Sequence, residues 1–193
     1  MAKTLALPRA LSRRLAQNPA ERELLRRAQS GEREAVAVLL QRHREAISRL
    51  CFQILRERES AEDAAQEILL RAFEKMPTFR GESEFSTWLY RIALNHCLEM
   101  QRKTARRDSF LVEDEPKSTA DFSRRIDTRL ALETALDALP EPLRIALILR
   151  QWHEKSYQEI GAILNLPLGT VKSRIHQARR EFRQLWEAQN AEI

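Results

Sequence analysis

Glycine is scarce in this chain, and long apolar runs are missing from it. Four glycines among 193 residues are too few for the tight turns of a many-stranded β-protein or for the glycine-rich loops of a nucleotide-binding α/β fold. No apolar run approaches the roughly 20 residues that a membrane span needs. Arginines interrupt the first twenty residues, where a signal peptide needs an unbroken apolar core. We therefore expect a cytoplasmic protein without membrane insertion.

Cysteine is almost absent too. Cys51 and Cys97 lie far apart, and no CxxC or Cys–His pattern surrounds either of them. His96 stands next to Cys97, but a metal ion would need two more ligands, and the spacing supplies none. We predict two ordinary, partly buried thiols that stay reduced in the cytoplasm. We also predict no metal, no cofactor and no catalytic residue.

The residues that are abundant favour helices. Ala, Leu, Arg and Glu suit helix interiors, and 43% hydrophobic content is too high for wholesale disorder. The net charge of +5 is small, but it is unevenly distributed. Basic residues concentrate at 91–107 and 172–183, whereas acidic residues concentrate at 57–67 and 113–121. Two basic surfaces therefore suggest nucleic acid more strongly than the total charge does.

Helical periodicity divides the chain into two parts. In the first part, apolar residues at helical spacing predict several helices. One of them opens at Ser60 or Ala61 and stops at Pro77, and another runs from about 86 to 102. Periodicity resumes near 126 and continues through helices near 142–150, 156–164 and 168–187. The intervening stretch is polar and acidic. We predict an all-α protein with an N-terminal extension over 1–19, a helical domain over 20–107, a linker over 108–125 and a second helical domain over 126–193.

The last two helices resemble a DNA-reading motif. Ser156 and Glu159 have the spacing of a capping box, which starts the first helix. A three- to four-residue turn leads to a second helix, which has one apolar stripe and a basic outer face. This arrangement predicts a helix-turn-helix whose second helix lies in the major groove; the alternative is an ordinary solvated face. Base edges would meet Lys172, Ser173 and His176, and phosphates would meet Thr170 and Arg174.

The helix over 61–76 has one unusual outer residue. Its outer face is polar and acidic, yet it includes Leu70. An aliphatic side chain among acids predicts a docking surface for a basic partner, with Leu70 as the anchor; the alternative is a scattered exposed leucine. The face consists of Asp63, Gln66, Glu67, Leu70 and Glu74.

Aromatic residues, which make up only 6% of the chain, cluster after this helix. Aromatic rings beside basic residues are suited to single-stranded nucleic acid, because bases stack on them. Trp88 shares an apolar stripe and is expected in the core, and Phe85 is expected to staple the helix start. Phe79, beside Gly81, is the predicted base contact. Asn95, next to Arg91 on the outer face, can read adenine or an extruded base.

Four linked motifs resemble one family. The four motifs lie in three segments, DAAQEILLRAFEKM, FRGESEFSTWLYRIALNHCLE and ALPEPLRIALILRQWHEKSYQEIGAILNLPLGTVKSRIHQARREF, which are similar to those of an extracytoplasmic-function (group IV) sigma factor of bacterial RNA polymerase. The resemblance implies a non-enzymatic protein that directs transcription initiation. Its implied partners are core RNA polymerase, through the β′ clamp helices and the β flap, promoter DNA, and an anti-sigma factor.

The resemblance also implies a role for each surface. The polar face of the helix over 61–76 would dock on the β′ clamp helices. The −10 element would meet Phe79, Arg80, Gly81, Ser83, Arg91 and Asn95, and the −35 element would meet Thr170, Lys172, Ser173, Arg174, His176 and Arg179.

Two other readings stay open at this point. A helix-turn-helix repressor or activator would bind duplex DNA alone, without needing Leu70 or the loop at Phe79. A helical enzyme is the second alternative, although no set of catalytic groups supports it.

Overall fold

In the computed structural model of the chain, residues 19–108 and 132–190 are described, and they contain helices, turns and loops without a strand. The all-α prediction is confirmed for these residues. Two compact units divide between Arg102 and Lys103. The extension predicted over 1–19 and the linker predicted over 108–125 lie outside the described residues, except for Pro19 and Asp108. No helix in the described ranges is long and apolar enough to cross a membrane.

The N-terminal unit is built from four helices, the last of which continues past the division after Arg102. They are α1 (Pro19–Gln29), α2 (Arg33–Leu55), α3 (Arg58–Lys75) and α4 (Phe85–Asp108), with a 3₁₀ turn at Met76–Thr78. The C-terminal unit has a helical segment at 132–137, followed by α5 (Glu141–Gln151), α6 (Tyr157–Leu164) and α7 (Leu168–Asn190). These last three helices agree closely with their predicted bounds.

The start of α3 differs from the prediction. The helix begins at Arg58, before Ser60, because Glu57 is its N-cap. The Glu57 carboxylate accepts hydrogen bonds from the backbone N–H of Glu59 at 2.8 Å and from that of Ser60. These bonds satisfy two of the N–H groups that a helix start leaves without partners. The hydrogen bond with the Ser60 side chain is the main contact that lowers the pKa of Glu57. The bonds from the backbone N–H groups of Ser60 and Glu59 lower it further.

The core of the N-terminal unit brings the two cysteines together. Cys51 on α2 and Cys97 on α4 are fully buried, and their Sγ atoms lie 3.7 Å apart. The prediction of partly buried thiols is therefore wrong. The hydrogen bond with Cys97 raises the pKa of the Cys51 thiol, and burial adds to this rise, because both disfavour a thiolate. Larger residues complete this core, among them Leu39, Ile47, Leu50, Ile68 and Leu89.

The core of the C-terminal unit lies between α5, α6 and α7. Ile160 and Ile163 of α6 are buried, as are Val171, Ile175 and Ala178 of α7. The apolar stripes predicted on these two helices therefore face a common core. A connected cluster extends this core toward the chain's end and contains Leu136, Leu139, Leu143, Leu147 and Ala178, with Phe182 and Leu185 packed against it.

Candidate functional site

Helix α3 has one buried face and one exposed face, as its sequence pattern predicts. Small and aliphatic residues, among them Ile68, are buried, whereas the polar residues of the opposite face are exposed. Leu70 is 66% exposed, more than any other large hydrophobic residue in the described ranges. The structure thus places an aliphatic side chain among exposed polar and acidic groups: Asp63, Gln66, Glu67 and Glu74.

Glu67 is the best-anchored member of this face. Its carboxylate pairs with Arg71 one turn later on α3. On the inner side, the Nε2 atom of buried His96 on α4 lies 3.6 Å from Glu67 Oε2. The carboxylate therefore has basic groups on two sides, which orients it while leaving about half of the side chain exposed. The His96 contact was not predicted, because it joins two helices that are separated in the sequence.

The loop over 79–84 corrects one prediction. Phe79 is only 6% exposed, so its ring is not available in this structure as a stacking platform for a DNA base. The ring centroid lies 5.8 Å from that of Phe85 and 5.2 Å from that of Trp88. Phe85 and Trp88 are also buried, which confirms the core position predicted for Trp88. Burying a phenylalanine contributes roughly 1.5–3 kcal/mol, which explains why the ring turns inward.

The buried ring leaves the polar part of the loop outside. Arg80 is exposed, and Ser83 is half-buried. Gly81 has a φ of +71°, a conformation that glycine adopts without the steric cost that a Cβ brings. The loop therefore presents a cation, a hydroxyl and accessible backbone, while the buried Phe79 ring anchors the loop in the core.

Arg91 and Asn95 extend this surface along α4. Both are exposed and lie one turn apart. Their neighbours Tyr90 and Leu94 are buried, which fixes the orientation of the helix. Exposed Arg102 lies further along the same helix. The structure thus places the predicted −10 residues, Phe79 excepted, at exposed or half-buried positions of the N-terminal unit.

The helix-turn-helix is formed by α6 and α7. The capping box predicted at its start is confirmed: the Ser156 N–H donates to Glu159 Oε2 at 2.8 Å, and the Glu159 N–H donates to Ser156 Oγ at 3.2 Å. Asn165 ends α6 in a left-handed conformation, with φ of 54°. The turn then leads through Pro167 into α7, whose first residue is Leu168.

The outward side of α7 contains the predicted −35 residues. Lys172, Ser173 and His176 are exposed within the first three turns, whereas Thr170 and Arg174 are half-buried. The Ser173 hydroxyl donates to the Thr170 carbonyl at 3.0 Å, which leaves its lone pairs to accept a bond from a base. This half of α7 can therefore present one cation, one hydroxyl acceptor and one imidazole to a groove of DNA.

A groove in the C-terminal unit was not predicted from sequence. It has a volume of about 420 Å³ and lies between the end of α5 and the second half of α7. The rings of Phe182 and Trp186 stack with centroids 6.3 Å apart, and Trp152 on the α5 side is 38% exposed. The repeat of aromatics one turn apart in α7 is a sequence signal that could have found it. Its lining comprises Leu147, Gln151, Trp152, Arg179, Phe182, Arg183 and Trp186.

Arg179 belongs to this groove as well as to the predicted −35 set. It is exposed, and it lies further along α7 than the residues that begin the helix. Across the ranges 19–108 and 132–190, no group of three or more His, Cys, Asp and Glu side chains has an arrangement that could hold a metal ion.

Comparison with known families matches both units. The Sigma-70 region 2 family matches residues 39–107, and the Sigma-70, region 4 family matches residues 129–182. The RNA polymerase sigma-H factor of Pseudomonas aeruginosa is 33% identical over 82% of this chain and 90% of its own length. The ECF RNA polymerase sigma factor SigW of Bacillus subtilis is also 33% identical, over 82% of this chain and 92% of its own length.

Solved structures agree with these matches. CnrH in complex with the cytosolic domain of CnrY has a TM-score of 0.69 and 25% identity, over 88% of this chain and 98% of that chain. The sigma factor RpoE of Bartonella quintana, solved with the anti-sigma factor NepR, has a TM-score of 0.63 and 26% identity, over 77% of this chain and 94% of that chain. The exposed face of α3, the loop after it and the helix-turn-helix therefore occur together in a chain that belongs to the extracytoplasmic-function sigma factors of the sigma-70 family.

Proposed function

We propose that this protein binds core RNA polymerase, directs it to promoters and assists local strand opening. The observation that carries the proposal is the presence of an aliphatic anchor in an acidic face, at Leu70, together with a helix-turn-helix in the same chain. A regulator that only binds duplex DNA has no use for the exposed Leu70. The protein would act in the cytoplasm, and it would position DNA and polymerase instead of catalysing a reaction.

The α3 face would dock on the β′ clamp helices. Leu70 would be buried in the complex, which makes it the expected energetic anchor, while the surrounding carboxylates would select a basic surface. Glu67, held between Arg71 and His96, needs little reorganisation to form such a contact. The negative charge of this face would also repel DNA phosphates, so this side of the unit would bind protein and not DNA.

The loop and the outer face of α4 would meet the −10 element. Extracting a base from the stack costs a few kcal/mol, which contacts from the protein must offset. Arg80, Ser83 and the backbone at Gly81 would contribute them from the loop, and Arg91 and Asn95 from α4. In this proposal Phe79 acts as the buried support of the loop, which replaces its predicted role as a base contact.

The first turns of α7 would read the −35 element as duplex. Lys172, Ser173 and His176 would reach base edges, whereas Thr170 and Arg174 would contact phosphates. Arg179 is assigned to the rim of the −35 surface and to the groove beside it. Two separate domains, predicted over 20–107 and 126–193, would allow one domain to bind the −10 element and the other to bind the −35 element. These ranges remain predictions.

The groove of the C-terminal unit would receive the β flap. The family resemblance implies this second polymerase contact, and the groove supplies an apolar surface with aromatic walls and two arginines. Aromatic residues and arginine are the side chains most enriched at binding hot spots. An anti-sigma factor would compete for the same polymerase-binding surfaces, as a partner of the kind that NepR is for RpoE in the solved relative.

Reconstitution tests the proposal. The full chain is mixed with core polymerase and offered a library of promoter templates. We expect initiation from a defined subset of templates that core polymerase alone does not use. Absence of promoter-specific initiation from every template would contradict the proposal, and specific duplex binding without polymerase would support a helix-turn-helix regulator instead.

A further inference from the structure

Gln29, the last residue of α1, lies against the backbone of the loop over 79–84. Its side-chain Nε2 donates to the carbonyl oxygen of Phe79 at 3.3 Å, across a separation of 50 residues. The same Nε2 atom lies 3.6 Å from the position that a Cβ on Gly81 would occupy. One side chain from a distant helix therefore bonds to the loop backbone at Phe79 and lies beside the loop at Gly81.

Helix α1 supports Gln29 firmly. Leu24 and Ala28 bury the inner face of the helix. Gly31, with φ of +92°, ends the helix, and its N–H donates to the Ala28 carbonyl at 3.1 Å. The Glu32 N–H donates to the Arg27 carbonyl at 3.1 Å. Bonds of this kind satisfy the last carbonyls of a helix and order its final turn. Gln29 therefore extends from a well-held end of α1.

Phe79 is consequently held from two directions. Its ring packs against Phe85 and Trp88, and its carbonyl accepts the bond from Gln29. The ring contact limits where the residue sits, and the carbonyl bond limits how its peptide group is turned. Together they set the direction in which the chain leaves toward exposed Arg80. The Phe79 N–H also donates to the Met76 carbonyl at 3.0 Å, so the bond from Gln29 adds a contact on the side of the residue that leads to Arg80.

We propose that Gln29 is a positioning residue for promoter opening, which holds the loop over 79–84 in the conformation that captures an unpaired base. The inference rests on the proposed −10 role of this loop. A loop that is ordered before DNA arrives does not have to be ordered on binding, so more of the contact energy remains for separating the strands. Gln29 itself need not touch DNA.

The test uses holoenzyme and a promoter selected by the unaltered protein. Gln29→Met keeps the side chain's length and removes the donor without changing charge. Gln41→Met is the matched control, because Gln41 is exposed on α2 and belongs to neither proposed binding surface. Three quantities are measured: affinity for core polymerase, permanganate reactivity of the −10 region on duplex, and initiation from the same promoter with a preformed mismatched bubble.

We expect Gln29→Met to reduce the opened fraction on duplex by about three- to tenfold, the range that one lost hydrogen bond represents. Polymerase affinity and initiation from the bubble template should match those of the unaltered protein. Gln41→Met should leave all three quantities unchanged. A purely structural role for Gln29 would instead lower polymerase affinity or reduce initiation on both templates.

Several outcomes would overturn the inference: normal opening by Gln29→Met, equal losses on duplex and bubble, reduced polymerase affinity, or a matching loss with Gln41→Met. The double variant Arg80→Ala with Ser83→Ala separates this inference from the proposal beneath it. Defective opening by the double variant with normal opening by Gln29→Met removes only the role of Gln29. Normal opening by the double variant removes the −10 role of the loop, and the role of Gln29 with it.

Discussion

A Cβ added to Gly161 would lie 2.9 Å from the backbone carbonyl oxygen of Leu166, closer than Cβ atoms come to a neighbour in real structures. The Leu166 N–H also donates to the Gly161 carbonyl at 2.9 Å. The turn of the helix-turn-helix therefore folds back directly onto Gly161. Only a residue without a side chain allows this approach, although glycine costs helix stability elsewhere.

Gly161→Ala should destabilise the C-terminal unit by about 1 kcal/mol, because overpacking outweighs the gain in helix propensity. The matched control is Gly169→Ala in α7, where an added Cβ would meet nothing within 4 Å. That control should stabilise the unit by up to about 1 kcal/mol. Urea unfolding followed by circular dichroism measures both changes. A Gly161→Ala variant more stable than the unaltered chain would contradict the close approach.

Leu70→Glu should weaken binding to core polymerase by about tenfold or more, because it removes an interfacial anchor and adds a like charge to an acidic face. The fold should persist, since the side chain is exposed. Val38→Glu is the matched control, because Val38 is 47% exposed on α2 and lies outside the α3 face. Affinity is measured by competition for core polymerase. Equal affinities for the Leu70→Glu and unaltered proteins would rule out the docking role.

Lys172→Ala should change the preference at one −35 base pair by about 1–3 kcal/mol. Arg174→Ala should instead weaken binding to all sequences about equally and reduce the salt dependence, as expected for a phosphate contact. Both are measured by selecting −35 sequences from a randomised library at two salt concentrations. If Lys172→Ala also causes a uniform loss, Lys172 is a phosphate contact.

Trp152→Ser should lower the affinity for core polymerase by about tenfold, because the groove would lose an exposed aromatic wall. Leu168→Ser is the control: Leu168 is 42% exposed in the same unit but does not line the groove. The same competition assay applies to both. A similar loss for the two variants would show that exposed apolar area in this unit matters without any contribution specific to the groove.

Glu57 should make the stability of α3 depend on pH. Its hydrogen bonds to Ser60 and the backbone lower its folded pKa below the ordinary value of 4.5. The stabilisation is therefore complete above about that unfolded value and is lost as the pH falls through the lower folded pKa. Glu57→Gln should be less stable than the unaltered chain at pH 7, and the difference should shrink below pH 4.5.

Urea unfolding across this pH range measures the difference. Glu57→Ser provides the control, because serine keeps an N-cap acceptor but has no carboxylate to titrate. The difference in unfolding free energy between Glu57→Ser and Glu57→Gln should not vary with pH. A constant difference between the unaltered chain and Glu57→Gln down to acid pH would contradict the capping role of the ionised carboxylate.

Local sequence signals predicted most of the helices well. The capping box at Ser156 and the apolar spacing of α6 and α7 depend on neighbours within a few residues, so they were readable without a fold. The start of α3 was missed because Ser60 is the more usual cap, whereas the structure uses the carboxylate of Glu57. The exposed position of Leu70 was predicted correctly, since it follows from helical periodicity alone.

Phe79 shows where such reasoning fails. Its position in a loop, close to glycine, predicted an exposed ring. The ring is instead buried against Phe85 and Trp88, which lie later in the chain on α4. The cysteines, the contact between His96 and Glu67, and the groove at Trp152 were missed for the same reason. Each depends on two segments that are distant in the chain.

By itself, the sequence determined the helical class, the order of the motifs and which face of each helix is polar, because periodicity and capping are local properties of the chain. Only the tertiary structure decided which side chains meet between helices. It buried Phe79, brought the free thiols of Cys51 and Cys97 within 3.7 Å of each other, and placed Gln29 against the loop that Phe79 begins. These contacts arise from close packing of distant segments, where burial and hydrogen bonding outweigh local preference.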